Sequence, residues 1–142
     1  MLEIIIATHG TLSEGFKNAV EVIAGQADHI HPISLKAGED VEKFGEVLAN
    51  QIHNLMNPEG VIVFTDLVSA SPYNQSIITV RNLPNDANVF IIGGVNLPMV
   101  LEGLNHQFLG TKANEAIVSI CDQGSTEKVI WKPSSIEEED DF

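Results

Sequence analysis

Short apolar runs alternate along this chain with longer stretches in which apolar residues recur every three or four positions. Leu2–Ala7, apolar except for Glu3, predicts a first strand. A helix is expected over Leu12–Ala24, with Leu12, Phe16, Ala19, Val20 and Ile23 on one face and Gly25 as its stop. His29–Leu35 reads as a second strand of edge type. Glu39–Met56 carries the clearest helical period, through Val41, Phe44, Val47, Leu48, Ile52 and Leu55, and its two leading acids suit the helix dipole. Gly60–Asp66 is apolar almost throughout, as a strand buried on both faces should be. Ser71-Pro72 predicts a helix to about Arg81, with serine as cap and proline at the first helical position. Asn88–Ile92 predicts a fourth strand. Asn96-Leu97-Pro98 starts a helix to about Phe108, and Thr111–Asp122 predicts the last one, ending at Gly124. Val129-Ile130-Trp131 reads as a short final strand stopped by Pro133.

Strands that alternate with helices are the mark of βαβ units around a parallel sheet. The expected fold is therefore α/β: an open, doubly wound, mostly parallel sheet in the order 2-1-3-4, with helices on both faces. In that order the first and third strands are neighbours, and the winding reverses between them. Functional groups collect at such a reversal, beyond the carboxyl ends of the strands.

Composition narrows the function classes. The chain has 142 residues, 44% of them hydrophobic and 19% charged, which is ample for one domain with a real core. Seven basic residues against 20 acidic ones give a net charge of −13. Nucleic acid demands a cationic face, so it is not an expected partner, and an anionic membrane surface is disfavoured for the same reason. A protein with a basic rim is compatible with that field. No basic segment precedes the first apolar run, which reads as a core strand and not as a secretion signal. Cys121 is the sole cysteine, so neither an intrachain disulfide nor a cysteine metal cluster is possible, and a reducing cytoplasm is the expected address. No metal and no cofactor is expected.

The chemistry concentrates at two places distant in sequence. The first run ends at Thr8-His9-Gly10 and the third at Thr65-Asp66. A 2-1-3-4 sheet puts His9 beside Asp66, where the carboxylate fixes the imidazole tautomer and leaves the other ring nitrogen nucleophilic. Gly10 lets the backbone pass close to a bound group. Ser69 and Ser71 lie just before and at a helix start, where hydroxyls and unpaired amides bind phosphate oxygens. The expected site is thus His9 and Asp66 as catalytic pair, with Gly10, Ser69 and Ser71 toward phosphate. No Gly-rich P-loop is present. Among the other histidines, His29 and His31 alternate on a strand and can both face solvent, while His53 and His106 fit helix surfaces; none is expected to act. Cys121 is expected as a small core residue.

Four segments, in order, resemble the enzyme IIA domain of the mannose/fructose/sorbose-type phosphoenolpyruvate-dependent sugar phosphotransferase system. The opening I-I-I-A-T-H-G resembles that family's phosphohistidine strand, and Val63-Phe64-Thr65-Asp66 its third strand. Ser71-Pro72-Tyr73-Asn74 is similar to its S-P-x-N helix start, and Gly94-Val95-Asn96-Leu97-Pro98-Met99 to its G-V-N-x-P-M turn. The likeness spans Ile4 to about Pro133. It departs at Ser69-Ala70, where the family has two glycines.

The resemblance implies a cytoplasmic phosphocarrier that takes phosphate from HPr on His9, with Asp66 as the histidine's partner. It implies delivery to enzyme IIB, which phosphorylates a sugar or sugar acid entering through the membrane components IIC and IID. It further implies a homodimer in which Val129–Lys132, as an antiparallel strand, pairs with the other subunit's sheet. On this reading residues 1–132 are the phosphocarrier domain and 133–142 an acidic, disordered tail. Two alternatives stay open from the residues alone: a small hydrolase using the His–Asp pair, and a flavodoxin-like binding module.

Overall fold

Isoleucine and valine have restricted χ1 torsions and favour extended backbone, and the runs rich in them form one four-stranded sheet. The computed structural model describes residues 1–133. Its elements are β1 (Glu3–His9), α1 (Leu12–Ala24), β2 (Ile30–Leu35), α2 (Val41–Leu55), β3 (Val61–Thr65), α3 (Ser71–Val80), β4 (Val89–Gly93), α4 (Leu97–Leu109) and α5 (Ala113–Gly124). Every pairing is parallel and the order is β2-β1-β3-β4, as the pattern predicts.

The two central strands are buried on both faces, and their alternation divides the interior into two cores. Leu2, Ile4, Ile6, Ile62 and Phe64 pack with Val20 of α1, Val100 and Leu104 of α4, and Ile120 of α5. Ile5, Ala7, Val61 and Val63 pack on the opposite face with Phe44, Leu48 and Ile52 of α2 and with Val80 of α3. Each fully buried side chain of this size contributes about 1.5–3 kcal/mol. That far exceeds any single difference in helix propensity, so packing holds α2 in place despite Gly45 in its first half. α1 crosses one face between β1 and β2, whereas α2 and α3 cross the other on the way to β3 and β4. The reversal therefore falls between β1 and β3.

Local signals fix the ends. α1 stops at Gly25, whose φ of +85° is left-handed. Asp40 caps α2 by accepting the Glu42 N–H at 2.9 Å, and Asn96 caps α4 by accepting the Met99 N–H at 3.2 Å. The buried Gln107 amide donates to the carbonyls of Leu2 and His29, both at 2.9 Å, tying together the chain entering β1 and β2.

Three expectations need correction, and a fourth has no counterpart in the single subunit. Ser71 is already inside α3; the chain is still extended at Ala70, ψ 175°, which holds the cap position without a side-chain bond. Cys121 is exposed, because α5 buries the stripe of Ala113, Ala116 and Ile120, and Cys121 stands one position round from it. His29 and His31 do not simply face solvent: both bond the Glu3 carboxylate at 2.7 Å. The segment Val129–Lys132 makes no strand pair among the described residues, and Val129, Ile130 and Trp131 are 86%, 89% and 63% exposed. A strand needs a neighbouring edge for its backbone groups, and within the single chain this segment pairs with neither edge of the sheet. The acidic tail expected beyond Pro133 lies outside the described residues.

The entry to β3 depends on Gly60. Its φ is +103°, and a Cβ there would stand 2.5 Å from the Asn88 carbonyl oxygen and 2.6 Å from the Ala113 methyl. Its own carbonyl accepts the Glu3 N–H at 3.0 Å, at the start of the β1–β3 ladder. Backbone strain and a backbone clash thus coincide at one position. Gly60→Ala should lower stability by about 2–4 kcal/mol, measured as a fall in the urea midpoint at unchanged slope.

Candidate functional site

β1 ends at His9, and the register decides what lies beside it. Ala7 pairs with Thr65 of β3 and His9 pairs with Leu35 of β2. Asp66 follows Thr65 directly, so two residues 57 positions apart in sequence come into contact. Gly10 turns the chain away with a φ of +56°, and its N–H donates to the Leu35 carbonyl at 2.8 Å. Thr8 is wholly buried and accepts the Ser13 N–H on Oγ1 at 2.8 Å. The Ser13 and Ser34 hydroxyls lie 3.0 Å apart, so the first turn of α1 is fixed to the end of β2.

The Asp66 carboxylate receives three hydrogen bonds. Oδ2 accepts from the His9 ring at Nδ1, 2.8 Å away, and from the His9 backbone N–H at 3.0 Å. Oδ1 accepts the Leu67 N–H at 3.0 Å. A carboxylate only accepts, so Nδ1 carries the proton and the lone pair is on Nε2. The side chain of Asp66 is 11% exposed and that of His9 46% exposed. Burial pushes the Asp66 carboxyl up, but the side-chain and backbone bonds from His9, its charge and the Leu67 amide outweigh burial and hold it below its ordinary value. At neutral pH the site is a fixed anion behind an accessible imidazole.

The structure joins His9 to Asp66 as the sequence predicts, and places the other expected residues less uniformly. Gly10 is adjacent, but its amide is spent on Leu35 and contributes conformation, not a free donor. Ser69 and Ser71 follow Asp66 on the connection into α3, which begins with no side-chain cap on its first amides. Ser69 has φ +65°, the one left-handed non-glycine among the described residues, and its carbonyl accepts the Asn74 amide at 3.1 Å. Position 69 is where the resembling family has glycine, and the backbone keeps a glycine-like shape with serine in place.

Sequence reasoning missed the other wall of the site. A cavity of about 400 Å³ is lined by His9, Gly10, Leu35, Lys36, Ala37 and Glu39. The signal was present in the expected order of strands, since the carboxyl end of β2 must lie beside that of β1. A second, larger groove of about 540 Å³ runs along the outer side of β4, between Val68 and Tyr73 on one side and Ile117 and Cys121 on the other. Among the described residues no group of three or more His, Cys, Asp or Glu side chains is placed to hold a metal ion.

Comparison with known proteins places this geometry. The chain is 31% identical over 102 residues to the PTS system sorbose-specific EIIA component of Lacticaseibacillus casei, covering 71% of this chain and 70% of that protein. Among solved structures, it is similar to the PTS IIA protein associated with the fucose utilization operon from Streptococcus pneumoniae. The TM-score there is 0.70 at 26% identity, over 89% of this chain and 92% of the other. The phosphotransferase system component EIIA from Streptococcus agalactiae superposes with a TM-score of 0.80, over 92% of this chain and 97% of that one; at 23% identity this shows the shared fold. Residues 3–127 match the EIIA-man family, described as the PTS system fructose IIA component. With the match spanning nearly the whole described chain, the protein belongs to that family and is a phosphotransfer component, EIIA, of a sugar phosphotransferase system.

Proposed function

We propose that His9 is the residue that carries the phosphoryl group, accepting it from phospho-HPr and passing it to enzyme IIB, which serves uptake of a sugar or sugar acid through IIC and IID. The observation that carries this reading is the 2.8 Å bond between Nδ1 and Asp66, which leaves an exposed Nε2 as the attacking atom. As Nε2 bonds to phosphorus, the N–P bond of the donor histidine breaks and the ring of His9 becomes cationic. Asp66 offsets that charge at Nδ1. Phosphoryl transfer otherwise needs chiefly in-line placement and stabilised oxygens. The uncapped first turn of α3, with the hydroxyls of Ser69 and Ser71, is suited to those oxygens, and Gly10 keeps the approach open. Residues 1–132 act on this reading as one carrier domain. No helix among the described residues is long and apolar enough to cross a membrane, which fits a component working at the cytoplasmic side.

The assembly reading concerns the C-terminal segment. The two edges of the sheet are not equivalent: β2 contains Pro32, which cannot donate to a ladder, whereas β4 contains no proline. Val129, Ile130 and Trp131 are apolar and exposed, and the groove beside β4 is lined by Phe90, Ile92 and Ile117 among others. A homodimer in which Val129–Lys132 adds as an antiparallel strand to the partner's sheet buries both features at once.

Four outcomes test these readings. With phosphoenolpyruvate, enzyme I and HPr, the protein should gain one acid-labile phosphoryl group per chain, and His9→Ala should abolish it. Asp66→Asn should slow transfer about a hundredfold or more with the fold intact, measured by rapid quench; a rate equal to wild type sinks the role given to Asp66. The lowered carboxyl of Asp66 contributes stability above the ordinary carboxyl range, and this is lost as pH falls through its folded value. The stability gap between wild type and Asp66→Asn in urea should accordingly shrink from pH 7 toward pH 3. For the assembly, light scattering on a chain ending before Lys128 should show monomer or aggregate, and an intact dimer would contradict strand exchange.

A further inference from the structure

The wall of the site opposite Asp66 carries a charge that has no role in the chemistry described so far. Leu35 is the strand partner of His9, and Lys36 is the next residue, where β2 ends. Lys36 lines the cavity that His9 opens into, and it is the one lysine or arginine among the described residues that line it. None of the ion pairs among the described residues engages its ammonium. The one acid lining the cavity, Glu39, turns Oε1 toward the backbone N–H of Lys36 at 3.3 Å. Lys36 is therefore exposed, in no ion pair among the described residues, and on the lining of the same cavity as His9.

Direction supports the same conclusion. Nδ1 of His9 points to Asp66 on the β3 side, so Nε2 at the other side of the ring points away from it. The element flanking β1 on that other side is β2, which delivers Lys36. A phosphoryl group on Nε2 brings about two negative charges into a protein whose net charge is already −13, and next to Glu39. Asp66 serves the ring, not the phosphoryl oxygens, and helix amides supply only partial charges. A full positive charge is missing from the set without Lys36.

We propose that the Lys36 ammonium contacts the phosphoryl oxygens on His9 and is a further residue of the transfer site. This rests on His9 as the phosphoacceptor. During transfer the donor's N–P bond breaks and Nε2–P forms; the donor ring regains its lone pair. Lys36 gives up no proton and stays an ammonium, stabilising the oxygens electrostatically and by hydrogen bonds. Because Lys36 is exposed, its contribution is modest and screened by salt.

The test compares wild type, Lys36→Gln and Lys36→Arg, each labelled through enzyme I and HPr. Transfer to Lys36→Gln should be about three- to tenfold slower than to wild type at low salt, and Lys36→Arg should recover most of the rate. The phosphoproteins, freed of HPr, are then titrated by ³¹P NMR. A cation at the oxygens favours their ionised form, so the phosphoryl pKa should rise by about half a unit in Lys36→Gln relative to wild type, and not in Lys36→Arg. Superimposable ³¹P titrations overturn the proposal: a slower transfer would then mean that Lys36 acts on docking of the donor protein. Equal rates and equal titrations overturn it as well. Wild type that takes no phosphate on His9 removes the underlying function together with this inference, whereas labelled wild type with an unaffected Lys36→Gln removes the inference alone.

Discussion

Pairing of β1 with β3 is the constraint on which the rest depends. Five residue pairs, from Glu3 with Val61 to Ala7 with Thr65, hold the two most deeply buried strands side by side. The same register fixes where their carboxyl ends stop. His9 and Asp66 meet because each is the first ionisable residue beyond its apolar run, and a shift of either run by one would swap its side chains between the two cores and mispack both. The interior energetics and the site geometry are thus set by one alignment. Gly60 guards its entry, since the ladder begins at that carbonyl.

Charge is arranged to oppose the background. An acidic protein is a poor host for a phosphoryl group, yet the local groups around His9 act in sequence on different atoms. Asp66 is held ionised by three hydrogen bonds although burial works against it, so its negative charge is fixed before any phosphate arrives. On the proposed reading it supports the ring cation that would form on phosphorylation. The amides of the uncapped α3 and the β2 side of the cavity would meet the opposite problem, the oxygens. An acidic exterior costs such a carrier little if its partners approach with basic rims, because complementary fields speed encounter.

Most of the architecture was legible because the strands are buried on both faces. Continuous apolar runs such as Val61–Phe64 have no other home in a chain of this size, and the helical period of α2 is broken by no proline. The His9–Asp66 pair was legible for the same reason, as a consequence of strand order. What escaped was decided by single positions on partly exposed elements. Cys121 lies one residue round from the buried stripe of α5, a rotation of about 100° that apolar counting does not resolve. Ser71 looked like a cap by type, but the chain stays extended only to Ala70 and the helix begins one residue early. Val129–Lys132 pairs with neither edge of its own sheet, so the proposed exchange with a second subunit is determined neither by the sequence nor by the single subunit. Lys36 and Glu39 were passed over because they carry no motif, only a place beside β1.

The connection from Asp66 into α3 shows how this chain reaches a glycine-like loop by other means. A left-handed serine costs about 1 kcal/mol or more relative to glycine, and Ser69 adopts φ +65° nonetheless. Two local bonds hold the segment: the Leu67 N–H to Asp66, and the Asn74 amide to the Ser69 carbonyl. Two glycines would leave the segment many conformations in the unfolded and unbound states, and each binding event would have to select one. Serine and alanine restrict those states, so the strain in the folded chain is offset partly by a smaller entropy of ordering. Because Asp66 anchors one end of the segment and Asn74 grips it from α3, the amides of the first helical turn are held at a fixed offset from the imidazole. If the site's chemistry is the proposed phosphoryl transfer, which consists of placement, a stiff loop between the carboxylate and the helix does the positioning that a flexible one would have to regain each time a partner docks.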